Sequence, residues 1–356
     1  MIWWKLRRTT PRSRSTWPVA VDDAGREVAR WRGPNSPAGW RQVGTWAAAL
    51  GMPCRWGIAG AWNYGRGLAQ CLVATGAEVY EVNPRWTALQ RQRARKVEKS
   101  DRLDARAVAL LVWREAATLP VVAADDETAV LELLVTEREG AVAEATRLRN
   151  QLHQLLLQLD PEYRGHLPSL RTSAGVDAAA SYATAGPSPL AQHRAGAVRR
   201  LAQRLQLALE QAKALAGQIE ALARECCAPL TEICGISLLA AGALAGILGP
   251  GCRFATDAQL AAYAGVAPLE VSSAERVRHR LNRSGNRRLN AILYRIALTQ
   301  ARSSPRAQAY LERRLREGKT RREAIRALKR YLVRAVWRRW QECLCATAAR
   351  PATLAA

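Results

Sequence analysis

Several features that mark large classes of protein are missing from this sequence. Its eight cysteines show neither a Cys-x-x-Cys pair nor the mixed cysteine and histidine spacing of a zinc site. No basic and apolar leader opens the chain, which argues against secretion and a disulfide framework. The most apolar stretch, around residues 236–248, is shorter than the ~20 residues needed to span a bilayer. We therefore expect a cytoplasmic protein with reduced cysteines.

Acidic residues are outnumbered, and the excess positive charge is unevenly placed. The 356 residues include 54 basic and 30 acidic side chains, and arginine dominates because there are only six lysines. Residues 1–120 carry a net charge of +11, residues 121–230 carry −2, and residues 231–356 carry +15. Between Arg276 and Arg339, 21 basic side chains accompany only three acidic ones. This pattern favours nucleic acid as the partner, although ribosomes and anionic lipids also attract basic surfaces.

The first third of the chain has the pattern of an α/β sheet domain. Residues 18–31 predict a β-hairpin around the turn Asp22–Gly25. Further strands are predicted at 55–59 and 77–82, and helices at 67–75 and 101–116, the last with Leu103, Ala107, Leu110 and Leu111 on one face. Strands that alternate with helices predict a layered α/β sheet. Residues 1–16 show no strand pattern and are expected to be irregular.

The middle of the chain has the spacing of a coiled coil. One apolar seam alternates steps of three and four, and a second lies upstream. The seams are Val198, Leu201, Leu205, Ala208, Ala212, Leu215, Ile219 and Leu222, and Val142, Ala145, Leu148, Leu152, Leu155 and Leu159. Residues 161–197 between them predict an irregular tip. The seams fit either a hairpin within one chain or a dimer interface.

The last third predicts mostly helix. Its apolar stretch is preceded by Ile233-Cys234-Gly235-Ile236-Ser237, which has the pattern of the turn in a helix-hairpin-helix element. Such turns present backbone N–H groups to phosphate, although a tight turn of this kind also occurs without any ligand.

Two motifs are specific enough to carry a family resemblance. The first is Lys99 to Ala107 (Lys-Ser-Asp-Arg-Leu-Asp-Ala-Arg-Ala), which follows the predicted strand that ends before Pro84. The second is Leu260 to Pro268 (Leu-Ala-Ala-Tyr-Ala-Gly-Val-Ala-Pro), which leads through two serines to the basic stretch Arg280–Leu289. In this order around a central coiled coil, they resemble the DEDD transposases of bacterial insertion sequences, the insertion-sequence one-ten family. The resemblance covers about residues 17 to 345.

The resemblance implies the following organisation. An N-terminal RuvC-like domain of RNase H fold occupies residues 17–122, coiled-coil helices occupy 123–227, and a C-terminal serine-containing helical domain occupies 228–345. Residues 1–16 are then an irregular or miscalled start, and 346–356 a tail. The expected fold class is α/β plus all-α, with a helix-hairpin-helix element in the last domain.

A RuvC-like site holds a divalent cation, usually Mg²⁺, with four carboxylates. Asp101 and Asp104 lie three apart on the predicted helix, so both can project from one face, and the resemblance makes them metal ligands. The family's other two acids are absent: Ala59 occupies the position of a glutamate, and the position of the first acid falls near Thr10, with no acidic residue before Asp22. Decay or a shifted start would explain the loss.

The serine side of the resemblance is better preserved. Counting from Pro268 places the family's nucleophilic serine at Ser273, with Ser272 as the neighbouring alternative. Two basic groups are expected to contact phosphate. They are Arg91, Arg93, Arg95, Lys96 and Lys99 before the aspartates, and Arg276, Arg278, Arg280, Arg283, Arg287 and Arg288 after the serines.

The resemblance therefore implies a bacterial, nucleoid-associated DNA transposase that cleaves and rejoins DNA at sites chosen through a bound structured guide RNA. Mg²⁺ is the expected cofactor if the site is functional, and a dimer or tetramer through the coiled coil is the expected assembly. Two alternatives remain open. One is a non-catalytic nucleic-acid-binding remnant, which Ala59 favours. The other is a RuvC-like junction or hybrid nuclease, which would need the full carboxylate set.

Overall fold

A computed structural model describes residues 2–5, 15–83, 101–183, 188–251, 253–270, 279–280, 282 and 285–348. The chain divides into two compact units. The first, which we call the sheet unit, comprises residues 1–129, 229–236 and 247–356. The second, the hairpin unit, comprises residues 130–228 and 237–246.

The sheet unit is built on a five-stranded sheet with the strand order β4-β3-β1-β6-β7. Its strands are β1 (Ile2–Lys5), β3 (Val19–Val21), β4 (Glu27–Arg30), β6 (Arg55–Ala59) and β7 (Glu78–Val82). β1, β6 and β7 run parallel, whereas β3 pairs antiparallel with both β1 and β4. Two short strands, β2 (Ser15–Thr16) and β5 (Gly33–Pro34), pair separately. The predicted hairpin and both predicted strands are confirmed.

The expectation that residues 1–16 are irregular is wrong for the described part of that segment. β1 is the middle strand of the sheet, and Ile2 pairs with Ala20 on one side and with Trp56 on the other. A central strand covered on both faces needs no alternation of apolar and polar residues. Four residues are also too few to show a period, so the pattern gave no signal.

Helices cover both faces of the sheet. α1 (Pro37–Ala48) and α2 (Arg66–Ala74) cover one face, where Val43 and Leu68 pack with Ile58. α3 (Asp101–Glu115) covers the other face, where Val108 packs with Ala59. The predicted apolar stripe of α3 is only partly correct. Leu111 is buried as predicted, but Leu103 is 38% exposed, and Ala107 and Leu110 are half-buried. The other buried residues of the helix are Asp104, Ala105, Val108, Ala109 and Val112.

The hairpin unit closes both apolar seams within one chain. Its helices are α4 (Glu127–Leu159), α5 (Ser173–Ala180), α6 (Pro189–Cys226) and the start of α7 (Leu238–Leu248). Leu148 and Leu152 of α4 pack with Val198 and Leu205 of α6 in one buried cluster. Leu156 replaces the predicted Leu155 as the next fully buried residue, and Val142 is 41% exposed. The seam residues are therefore used inside the hairpin, and the residues 161–197 predicted to be an irregular tip include α5.

The remaining described helices belong to the sheet unit. They are α8 (Asp257–Tyr263), α9 (Arg287–Ser303), α10 (Pro305–Arg316) and α11 (Arg321–Ala348), with the short strands β8 (Leu269–Glu270) and β9 (His279–Arg280) between α8 and α9. At the predicted helix-hairpin-helix turn, Gly235 has a φ of 88°, and the Cys234 carbonyl accepts a hydrogen bond of 2.8 Å from Gln300 Nε2. The element before this turn is a single 3₁₀ stretch, Ala228–Glu232, so a helix-hairpin-helix fold remains a prediction.

Replacing Leu205 by Ala is expected to lower the free energy of unfolding by about 2–5 kcal/mol, because the fully buried side chain would leave a cavity. Urea denaturation measures this, and light scattering reports the oligomeric state of the same sample. Leu207, 55% exposed on the same helix, is the matched control, with an expected change within about 0.5 kcal/mol on replacement by Ala. Dissociation of an oligomer at unchanged stability would show that the seam joins two chains.

Candidate active site

The predicted metal site falls where α3 crosses the end of β6. Asp104 is 1% exposed, and it lies one helical turn before Val108, which packs with Ala59 at the end of β6. The described structure thus brings the Asp104 position and the Ala59 position to the same layer of the sheet unit. Asp101 begins the same helix, but its side chain lies outside the described residues.

The donors in this layer do not fit a site for two divalent cations. Such a site needs several carboxylates, whereas Ala59 offers only a methyl group. On the neighbouring parallel strand, Lys5 is the residue whose backbone pairs with Ala59. Among the residues that the structure describes, no group of three or more histidine, cysteine or acidic side chains is arranged to hold a metal ion.

Glu81 on β7 does not supply a carboxylate to this layer, because it lies on the other face of the sheet. Side chains alternate along a strand, and on β7 Tyr80 and Val82 pack in the α3 layer. Glu81 instead accepts a hydrogen bond of 3.1 Å from Trp62 Nε1, and it forms an ion pair with Arg253. This carboxylate therefore serves a different contact.

Arg253 is the most heavily engaged buried cation in the described part of the sheet unit. Its residue is 4% exposed, and its guanidinium donates to the Glu81 carboxylate, to the Ile247 carbonyl at 2.6 Å and to the Tyr263 hydroxyl at 3.1 Å. The same group lies over the Trp62 ring, 4.6 Å from its centroid. Burial would lower the pKa of Arg253, but Tyr263 and Glu81 together hold it above its ordinary value. The cation is thus fixed between β7 and α8.

Tyr263 connects Arg253 to the segment that carries the predicted nucleophile, because it hydrogen-bonds to both Arg253 and Asn286. Burial raises the pKa of the Tyr263 phenol, so it stays protonated at neutral pH. Its oxygen accepts a hydrogen bond of 3.0 Å from Asn286 Nδ2, and its carbonyl accepts one of 2.7 Å from the Asn286 N–H. The Asn286 side chain in turn caps α9 by accepting from the Leu289 N–H at 3.0 Å.

The segment from residue 266 to residue 284, which we call the serine loop, is closed tightly at its base. A Cβ atom on Gly285 would lie 2.3 Å from the Gly265 nitrogen, so only glycine allows the two backbones to approach this closely. Beyond this point β8 and β9 pair antiparallel, with Leu269 opposite Arg280. Both ends of the loop are therefore fixed through α8 and α9.

Most of the residues predicted for catalysis and phosphate contact lie outside the described residues. These are Arg91, Arg93, Arg95, Lys96, Lys99, Ser272, Ser273, Arg276, Arg278 and Arg283. Thr10, near which the family's first acid was expected, also lies outside the described residues. The backbone of Arg280 lies in β9, and Arg287 and Arg288 open α9, where Arg287 is exposed and Arg288 is half-buried. The structure thus places part of the second predicted basic group beside the base of the serine loop.

The sequence interpretation missed the contact among Glu81, Arg253 and Tyr263. Glu81 and Arg253 are 172 residues apart, and neither belongs to a recognisable motif. A lone arginine beside the single phenylalanine, Phe254, carries no spacing signal. Separately, no helix among the described residues is long and apolar enough to cross a membrane.

Comparisons with known proteins define the class of this chain. A family model described as a transposase, of the DEDD type, matches residues 13–161, and a second, described as the transposase IS116/IS110/IS902 family, matches residues 227–312. A Streptomyces coelicolor protein, described as an insertion element IS110 uncharacterized 43.6 kDa protein, is 31% identical over 279 residues. That match covers 65% of this chain and 68% of the relative. The chain belongs to the IS110 family of insertion-sequence transposases.

Membership of the family confirms the expectation of an insertion-sequence transposase. Its class of activity is DNA transposition, in which DNA is bound, cleaved and rejoined. The sheet order and the α3 crossing are consistent with the RNase H-like fold expected for the DEDD domain. DEDD transposases in general use divalent metal ions. The individual site residues of this chain remain predictions.

Breaking the ion pair between Glu81 and Arg253 is expected to destabilise the protein far more than breaking an exposed pair. Replacing either residue by Gln leaves the other charge buried without its partner, at a cost of about 3–5 kcal/mol. The loss of unfolding free energy in the double variant should be smaller than the sum of the two single-variant losses by about 1–3 kcal/mol. Urea denaturation of the four proteins measures this coupling.

An exposed ion pair of the sheet unit offers a matched control. Arg55 and Glu78 form an ion pair of 3.0 Å with both side chains about half exposed, 53% and 47%. Replacing Arg55 by Gln should change the free energy of unfolding by no more than about 1 kcal/mol. Equal losses at Arg55 and Arg253 would contradict a special role for the buried pair.

Proposed function

We propose that this chain is the DNA recombinase of its insertion sequence, directed by a bound structured RNA, with Ser273 as nucleophile and Ser272 as its neighbouring alternative. Family membership supports the class of reaction. The observation that supports the site is the closed base of the serine loop, where Gly265 and Gly285 meet. A loop fixed at both ends can hold a nucleophile in one orientation, as attack on phosphorus requires.

In the proposed reaction, the serine Oγ attacks a DNA phosphorus and the bond to one bridging oxygen breaks. The departing strand leaves with that oxygen, which takes up the proton released by the serine hydroxyl, while the other strand end stays joined to the protein as a phosphoserine. Attack by a DNA hydroxyl on the same phosphorus then breaks the bond to the serine Oγ and rejoins the strands, and the proton of that hydroxyl passes to the serine. Negative charge on the nonbridging oxygens would be stabilised by the predicted arginines, of which Arg287 and Arg288 lie at the start of α9.

We propose that Asp101 and Asp104 are what remains of a Mg²⁺ site. Asp104 is buried one helical turn from Val108, which packs with Ala59, but Ala59 supplies no ligand, and so no step of the reaction is assigned to a metal. We infer that the chain binds nucleic acid but cleaves DNA weakly. Ala59 equally favours the second candidate, a non-catalytic remnant that still binds DNA and RNA. A RuvC-like junction or hybrid nuclease is disfavoured, because it would rely on this incomplete site alone.

We propose DNA, a structured guide RNA and further copies of the chain as partners. The excess of 21 basic over three acidic side chains between Arg276 and Arg339 supports contact with a polyanion. Base pairing by the guide would supply sequence specificity, while the protein recognises backbone charge and shape. A dimer or tetramer formed through the hairpin unit would have to use its outer surfaces, where Leu133 is 66% exposed, because the seams are filled.

Restoring carboxylates is expected to restore cleavage only in combination. Ala59→Glu alone should strengthen Mg²⁺ binding without strand cleavage. Two positions are candidates for the second acid. Lys5 is the candidate from the structure, because it pairs with Ala59 between β1 and β6. Thr10 is the candidate from the sequence, by counting back from the hairpin turn. Neighbouring strands lie about 5 Å apart, so Lys5→Asp combined with Ala59→Glu would bring two carboxylates together. A denaturing gel with Mg²⁺ measures DNA linked covalently to protein.

Ser273→Ala in the restored background is the control for the nucleophile. It should abolish the covalent adduct and leave DNA affinity unchanged. If the adduct persists, Ser272→Ala tests the alternative serine. Strong adduct formation by the unmodified chain would show that other groups supply the missing ligands.

The affinity of the full chain for duplex DNA is expected to fall steeply with salt. In a plot of log affinity against log salt concentration, each phosphate that the protein neutralises should add roughly one unit to the negative slope. Arg287→Gln should reduce that slope by about one. Arg224→Gln, which removes an exposed arginine near the end of α6, should leave it unchanged. A flat plot for the parent chain would contradict nucleic-acid binding through arginines.

A further inference from the structure

A cavity of about 840 Å³ lies in the sheet unit beside the base of the serine loop. One wall is the backbone segment from Gly265 to Pro268, which leads directly into β8 and the predicted nucleophile. The opposite wall is formed by the end of α10 and the first half of α11. This volume falls within the range of sites that enclose a small organic molecule, which includes a single nucleotide.

The cavity is strongly basic. Six cations line it: Arg314, Lys319, Arg326, Lys329, Arg330 and Arg334. Three carboxylates make ion pairs with them: Glu317 at 2.7 Å, Glu323 at 4.0 Å and Asp257 at 3.0 and 3.1 Å. Three positive charges are left over after these pairs are counted one to one. The cavity is therefore suited to an anion with more than one negative charge.

One of these cations, Lys329, is buried, which disfavours its charged form. Lys329 is 6% exposed, and its Nζ donates to Asn290 Oδ1 at 2.8 Å. Burial and the nearby Arg326 lower the pKa of Lys329, because both disfavour its ammonium form. A bound anion would relieve both effects.

The cavity also presents an aromatic surface. Tyr310 and Tyr331 pack edge to face with centroids 5.2 Å apart, and the Tyr331 residue remains 48% exposed. Arg314 Nε donates to the Tyr310 hydroxyl at 3.1 Å, and Arg334 lies 5.9 Å from the centre of the Tyr331 ring. Guanidinium groups beside an exposed aromatic ring are the combination that binds single-stranded nucleic acid, since phosphates meet the cations and bases stack on the ring.

We propose that this cavity holds one unpaired nucleotide of a nucleic-acid strand, with its base against Tyr331 and its phosphate against Arg326 and Lys329. A paired base is stacked on both faces and cannot reach the ring. The unpaired nucleotide would lie next to the wall that leads into the serine loop, and so would fix the strand beside the predicted nucleophile. The inference rests on the proposed function only for the kind of polymer bound.

The test uses the full chain carrying Ser273→Ala, without Mg²⁺, so that failure of cleavage cannot affect it. The probes are a labelled ten-residue oligothymidylate, an abasic strand with the same number of phosphates, and a duplex. Tyr331→Leu keeps most of the side-chain volume and removes the ring. It should weaken binding of oligothymidylate roughly 5- to 150-fold, the range for loss of one stacked base, and leave the abasic strand unchanged.

Arg326→Gln should weaken both single strands and reduce the salt slope by about one, because it removes a phosphate contact. Tyr331→Phe keeps the ring and should bind like the parent, and Arg224→Gln controls for loss of an exposed arginine elsewhere. Thermal melting of each variant reports whether it folds. Equal loss for oligothymidylate and the abasic strand in Tyr331→Leu would overturn the proposal. So would parent-like binding of both strands by Tyr331→Leu, or a loss of duplex binding in that variant as large as its loss for oligothymidylate.

Discussion

The buried contact of Arg253 with Glu81 is the constraint on which the arrangement of the sheet unit depends. It joins the last strand of the sheet to α8, and through Tyr263 and Asn286 it reaches the base of the serine loop. A guanidinium with several donors can satisfy a carboxylate, a carbonyl and a phenol at once, which an ammonium on a flexible stem does less well. Because the group is buried, loss of either charge would leave the other without compensation. The position of the base of the loop therefore depends on contacts far from it in sequence.

The two predicted parts of the site have different surroundings in this chain. At the base of the serine loop, Gly265 and Gly285 allow the close crossing that closes the loop, and Asn286 caps α9. Beneath α3, Val108 packs with Ala59, whose methyl group cannot bind a metal ion. A small apolar residue packs well at this position, so the fold of the sheet unit does not depend on a carboxylate there.

The hairpin unit illustrates why periodicity predicts a helix but not its partner. The steps of three and four in α6 correctly indicated which face is buried, with Leu205 and Ile219 fully covered. The same spacing fits a partner helix from the same chain or from another one. Packing against α4 and α5 within the chain filled the seam. In that packing Leu156 of α4 is fully buried, whereas the predicted Leu155 is only partly buried.

The sequence alone determined the alternation of strands and helices, the family motifs, the basic block and the presence of an alanine at position 59. These depend on local spacing or on the identity of single residues. Tertiary structure decided that Ile2–Lys5 forms the central strand, that Asp104 lies on the buried face of α3, and that Glu81 faces Arg253. Each of these depends on which surfaces meet. Contacts such as Tyr310 with Tyr331, or a carboxylate with an arginine 172 residues away, leave no periodic trace in the chain.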